Sequence, residues 1–316
     1  MGILAYLQPT NKFLDITLAR TMNWSPDEFK FHFDLPFGRG HVCVAMCVGY
    51  LMVMFAGTQI MKSHKPFELK QLVFVHNVIM SAGSLILWLL VAEQVFSMWI
   101  RHGFAYVMCN KEAYTPRLEL FYYWNYIFKL WEFIDTIFLV LKKRPLEFLH
   151  VYHHSATAGF AYLFLWKPTS STWVVVVLNL AVHVFMYYYY AVSTVSKRNI
   201  WWKKHLTTMQ ISQFVLDIAM VTYMSYNIFI NEYFPWMKTA YGLKTVPNCY
   251  AADPVTQASV SGVLFASYLI LFIDFYLKTY KKKEARKSEA AAAAALAASN
   301  DKSNGTLNGH FSTKEE

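Results

Sequence analysis

Apolar residues in this chain come in long runs with no helical or strand periodicity inside them. Val42–Met61 and Gln71–Ile100 carry few charges across the ~20 positions that a bilayer-spanning helix needs. Read to its end, the pattern predicts seven spans, at about 42–61, 71–99, 118–141, 146–166, 172–195, 206–231 and 258–280. The third is the least apolar, because Lys129, Glu132 and Asp135 fall inside it. Short connectors favour antiparallel neighbours packed as a bundle. The fold class expected is an all-α membrane protein with seven transmembrane helices.

The polar connectors give the orientation. Lys62, Lys65 and Lys70 follow the first span, Lys142, Lys143 and Arg144 the third, and Lys197, Arg198, Lys203 and Lys204 the fifth. Lys278, Lys281, Lys282, Lys283, Arg286 and Lys287 follow the seventh, whereas the alternate loops are poorer in lysine and arginine. The positive-inside rule then makes these loops and the C-terminus cytosolic and the N-terminus lumenal. Three regions result: a lumenal segment at 1–40, the helical domain at 41–280, and a tail at 281–316. The tail is a basic run, then Ala290–Leu296, then polar residues, and it reads as a frayed helix or as disorder.

Composition agrees, with 56% hydrophobic, 18% aromatic and 16% charged residues, against about a quarter charged in an average soluble domain. The net charge of +9 sits in clusters beside the apolar runs and forms no basic face with interleaved aromatics, so no nucleic-acid partner is expected. No cleavable signal peptide is visible, and the first span is expected to act as the targeting signal. Cys43 and Cys47 lie in the first span. Cys109 and Cys249 fall in two lumenal loops, where an oxidising compartment permits a disulfide; two free thiols too distant to bridge are the alternative. The Asn23-Trp24-Ser25 sequon is lumenal, but Pro26 and the nearby membrane count against its use.

Ionisable groups within a membrane are costly and usually face a protein interior or a cavity. Four clusters stand out. His150, His153 and His154 share one helix face, since positions three and four apart are neighbours there. Lys129, Glu132 and Asp135 make a charged stripe, either a helix–helix ion pair or groups that orient the histidines. His183 precedes Met186, Tyr187, Tyr188, Tyr189 and Tyr190. Thr207, Gln210 and Gln213 step by three along one side, with Asp217 one turn on, and amides at membrane depth need partners.

A histidine box invites a di-iron reading. Desaturase-like sites use about eight histidines in several boxes, whereas this chain has eleven in all and a single box, without a matching carboxylate set. A seven-span receptor leaves the three-histidine face unexplained, and a transporter predicts broken helices or repeated halves, neither of which is evident.

The four clusters, in this order, closely resemble the ELO family of very-long-chain fatty-acid elongases. Its patterns KxxExxDT, HxxHH, HxxMYxYY and TxxQxxQ match Lys129/Glu132/Asp135/Thr136, His150/His153/His154, His183/Met186/Tyr187/Tyr189/Tyr190 and Thr207/Gln210/Gln213. The resemblance spans about 40–280 and is nearest to fungal members. It implies a barrel of spans 2 to 7 around an acyl tunnel, a lumenal disulfide between the loops of Cys109 and Cys249, and an endoplasmic-reticulum membrane. The implied reaction condenses acyl-CoA with malonyl-CoA to 3-ketoacyl-CoA, CoA and carbon dioxide, with no metal and no cofactor beyond these substrates. His153 is the implied nucleophile, with His150 and His154 orienting it, helped by Asp135 or Glu132. His183 handles the malonyl half, and Lys129, Tyr187, Gln210 and Gln213 support it. Lys142, Lys143, Arg144, Lys203 and Lys204 suit the CoA phosphates or else serve only topology. The lumenal end of the tunnel is expected to limit chain length, with bulky residues around Phe160–Trp166 and Phe265–Phe272 as the stop. Implied partners are the reductases and dehydratase of the elongation cycle, and dimers are common in the family.

Overall fold

A computed structural model describes residues 8–196 and 200–281. Among them there is no strand, and the single β-type contact is an isolated bridge between Thr169 and Ala251. The helices are α1 (Pro9–Met22), α2 (Gly40–Met61), α3 (Lys70–His102), α4 (Phe104–Cys109), α5 (Pro116–Trp131) and α6 (Phe133–Leu141). They continue with α7 (Phe148–Trp166), α8 (Thr172–Val195), α9 (Lys203–Ile228), α10 (Pro235–Tyr241) and α11 (Pro254–Tyr276). Two compact units divide the chain after Leu269, so residues 270–281, the end of α11 and a π turn at Leu277–Lys281, form a separate short piece.

Among the described residues, five helices are long and apolar enough to cross a bilayer: α2, α3, α8, α9 with its π-helical extension to Tyr233, and α11 with its extension to Tyr280. The chain is a multi-pass membrane protein. The two expected spans outside this set, 118–141 and 146–166, are those that carry the charged and imidazole clusters, which lower their hydropathy. The first is also broken, into α5 and α6 at Glu132. The basic tail beyond Lys281 lies outside the described residues, as do Lys197 and Arg198.

Local chemistry sets the helix ends. Thr115 caps α5 by accepting from the Leu118 N–H at 3.2 Å, and Pro116 occupies the first turn, where no N–H donor is needed. Gly103, at φ 86°, turns the chain from α3 into α4, a conformation that only glycine adopts cheaply. The expected 1–40 segment contains a helix of its own. The Glu93 carboxylate on α3 accepts from the Thr10 and Asn11 backbone N–H groups at 3.1 and 3.0 Å. An anion therefore sits on the positive N-terminal end of α1.

α3 lies along α8, α7 packs on α5 and α2, and α9 packs on α8. At the end where α7 stops and α8 starts, three loops are tied together. A disulfide joins Cys109 to Cys249, the Tyr250 N–H donates to Cys109 O at 2.8 Å, and the Ser170 N–H donates to Tyr250 O at 3.1 Å. Met108, Val174, Met224 and Ile228 fill the space around the disulfide.

Candidate active site

The bend at Glu132 turns its carboxylate inward. Lys129 donates to Glu132 Oε1 at 2.8 Å and to Asn179 Oδ1 on α8 at 2.6 Å, and His183 Nδ1 stands 3.1 Å from the same Glu132 oxygen. All four side chains are buried. A carboxylate and an ammonium removed from water need such pairing, because an uncompensated charge there is strongly destabilising.

Asp135, one turn on, belongs to a separate network. His76 Nε2 lies 2.7 Å from its Oδ1, the Tyr187 hydroxyl donates to its Oδ2 at 2.6 Å, and the Trp131 indole donates to His76 Nδ1 at 3.3 Å. Tyr187 thus spends its hydroxyl donor on Asp135. The histidine box has other neighbours. His150 Nε2 is 3.0 Å from Thr136 Oγ1, which also meets the Tyr50 hydroxyl at 2.9 Å. The His150 and His154 rings lie 4.2 Å apart, and His153 sits 4.8 Å from the ring of Tyr268.

A partly open cavity lies beside these groups. His153, Lys129, Asn125, Asn179, Gln213 and Tyr268 line it, and Phe160, Phe164 and Phe265 line it as well. His150, His154 and His183 are not among its lining residues. Gln213 donates to Asp217 Oδ2 at 3.3 Å, while Gln210 contacts Met186 Sδ at 3.7 Å. A second cavity of about 470 Å³ adjoins the first and shares Phe164, Thr172 and Val175 with it. Among the described residues, no three His, Cys, Asp or Glu side chains form a metal-holding group.

The basic residues occupy the other connectors. Lys142, Lys143 and Arg144 follow α6, and Lys203 and Lys204 open α9. The Lys143 ammonium donates to the carbonyls of Lys62 and His64, so it also ties the α2–α3 connector to this end.

Several participants were not singled out from sequence: His76, Trp131, Asn125, Asn179 and Tyr50. His76 had a usable signal, being an imidazole inside an otherwise apolar span with Asn77 beside it. Asn125 and Asn179 are lone amides, whose partners only the packing of α5 and α8 reveals.

The model of the family described as ELO: GNS1/SUR4 matches residues 36–288. "Putative fatty acid elongase 1" of Schizosaccharomyces pombe is 38% identical over 83% of this chain and 76% of its own length. "Putative fatty acid elongase 2" of the same yeast is 36% identical over 87% of this chain and 73% of its own. "Long chain fatty acid elongase 2" of Caenorhabditis elegans is 32% identical over 74% and 81%. The chain belongs to the ELO family.

Proposed function

We propose that the protein is the condensing enzyme of fatty-acid elongation, joining acyl-CoA to malonyl-CoA as 3-ketoacyl-CoA with release of CoA and carbon dioxide. The family supports elongation as the process. The condensation reading is carried by one observation: His153 and Lys129 line the same cavity, and Lys129 shares the Glu132 carboxylate with His183.

In this reading an imidazole nitrogen of His153 attacks the acyl thioester carbonyl. A C–N bond forms, the C–S bond breaks and CoA leaves as thiolate, which takes a proton from solvent, giving a cationic acyl-imidazolium. Malonyl-CoA then loses carbon dioxide, and the electron pair of that bond passes to the α-carbon and its thioester enolate. That carbon attacks the acyl carbonyl, the C–N bond breaks, and the pair returns to His153. Lys129 has three N–H donors, two of them engaged by Glu132 and Asn179, so the third suits an enolate or thioester oxygen. His183, held through Nδ1 by Glu132 and set outside the cavity lining, is assigned to the malonyl half through the Glu132–Lys129 pair. His150 and His154 support the nucleophile, and Asp135, Tyr187, Gln210 and Gln213 hold the surrounding framework.

The CoA head groups would enter from the cytosol past Lys142, Lys143, Arg144, Lys203 and Lys204, with the acyl chain in the cavity. The reading includes seven spans, with spans 2 to 7 ringing the tunnel, in the endoplasmic-reticulum membrane with a lumenal N-terminus. No cofactor beyond the two CoA substrates is needed for these steps. The reductases and dehydratase that consume the 3-ketoacyl product are the natural partners, along with a second copy of the chain.

Radiolabelled malonyl-CoA supplied to the purified protein with a panel of acyl-CoAs, with and without chelator, tests this reading. Label in 3-ketoacyl product, unaffected by chelator and lost in His153→Ala, is the expected result. A folded protein that incorporates no label at any chain length would overturn it.

A further inference from the structure

His76 lies on α3, outside the four clusters, yet it is buried at the centre of a hydrogen-bonded chain running Trp131, His76, Asp135, Tyr187. The chemistry of the ends fixes the middle. An indole N–H can only donate, so His76 Nδ1 is the acceptor, and its ring proton resides on Nε2, aimed at Asp135 Oδ1 2.7 Å away. Tyr187 O–H donates to the second oxygen at 2.6 Å. Both oxygens of Asp135 are therefore held by donors from two helices, α3 and α8, while the carboxylate itself rides on α6. Bonds of this kind to an ionised acceptor are the stronger class.

The Asp135 position matters to the histidines. Asp135 lies one turn from Glu132, which meets His183 at 3.1 Å, and next to Thr136, which meets His150 at 3.0 Å. Tyr187 is one turn beyond His183, with ring centroids 5.5 Å apart. We propose that His76 is a positioning residue of the active site, a neutral imidazole with its proton on Nε2 that, with Tyr187, pins the Asp135 carboxylate and so fixes the α6 turn carrying Thr136 and Glu132, the partners of His150 and His183. The role of this pinning in turnover rests on the condensation reading; the hydrogen-bonded chain itself does not.

The test uses the full-length purified enzyme in two arms. In the condensation assay, His76→Ala is expected to lower kcat roughly tenfold to a hundredfold, the cost of a slightly misplaced group, with KM for acyl-CoA nearly unchanged. His76→Gln, whose amide N–H reaches as Nε2 does, recovers a large part of that loss. Trp131→Phe gives a milder loss of the same kind. In the second arm, ¹⁵N spectra of histidine-labelled protein show His76 protonated at Nε2 and bare at Nδ1, and Trp131→Phe alters that signal. Wild-type kcat in His76→Ala, or equal loss in His76→Ala and His76→Gln, overturns the positioning role. Should His76→Ala not fold, the glutamine and Trp131→Phe variants decide in the same way. An Nδ1-protonated His76 overturns the proposal even if the wild-type enzyme shows no condensation, an outcome that separately removes the elongase reading.

Discussion

The ammonium of Lys129 and the imidazole of His183 share one acceptor, Glu132 Oε1, at 2.8 and 3.1 Å. Neutralising that carboxylate leaves a buried cation opposite a neutral group. Glu132→Gln is expected to cost about 3–5 kcal/mol, seen as a lower thermal midpoint in detergent. Adding Lys129→Met restores most of the midpoint but no activity, because the cavity then lacks its donor. A Glu132→Gln protein with unchanged midpoint would show that the charge pair is not needed for folding.

Phe164 forms part of the wall between the two cavities, together with Thr172 and Val175. It lies 11 residues from His153 on α7, about 16 Å along the helix. Phe164→Ala is predicted to join the cavities and to shift the product profile, read by mass spectrometry, towards longer acyl chains. The same truncation costs about 3–5 kcal/mol of stability as a large-to-small core change. An unchanged upper chain length would place the stop elsewhere.

The Cys109–Cys249 bond closes a loop with a sequence separation of 140. Cys109→Ser and Cys249→Ser are each predicted to lose about 2–5 kcal/mol, as reductant does to the wild-type protein. The double variant should fall no further than either single one, which a set of thermal midpoints checks directly.

Arg117 is buried and makes two contacts to Asp27, at 2.9 and 2.7 Å, and one to Asp15 at 2.8 Å. Hydrogen bonding from the Arg117 guanidinium holds the Asp27 carboxyl below its ordinary value, against a smaller opposing effect of burial. A carboxyl lowered in the folded state contributes stability above its unfolded pKa, near 4, and loses it as pH falls through the folded value. Asp27→Asn is expected to destabilise by about 1 kcal/mol or less at neutral pH, since the aspartate is largely exposed. The difference from wild type should vanish at the acid end of a pH series of thermal midpoints. A constant difference across that series would assign the effect to packing.

How much of this was legible in advance follows the range of each interaction. The apolar runs marked five long helices within a few residues, because a membrane helix satisfies its own backbone and needs only enough apolar length. The histidine face and the Lys129–Glu132 contact were also readable, being neighbours three or four apart on one chain segment. The partners of Asp135 were not: the sequence expected it to help orient the histidine box but did not show that His76 and Tyr187 hold it.

Sequence by itself determined that the chain spans a membrane several times and which segments carry its polar chemistry, since both depend on local composition and helical spacing. Only tertiary structure decided which polar groups meet. Helix packing set His76 against Asp135, put His183 and Lys129 on one oxygen, gave Lys129 and Tyr268 the same cavity as His153, and placed Phe164 in the wall between two cavities. Those partners come from α3, α5, α6, α7, α8 and α11, and no one-dimensional period relates residues on separate helices.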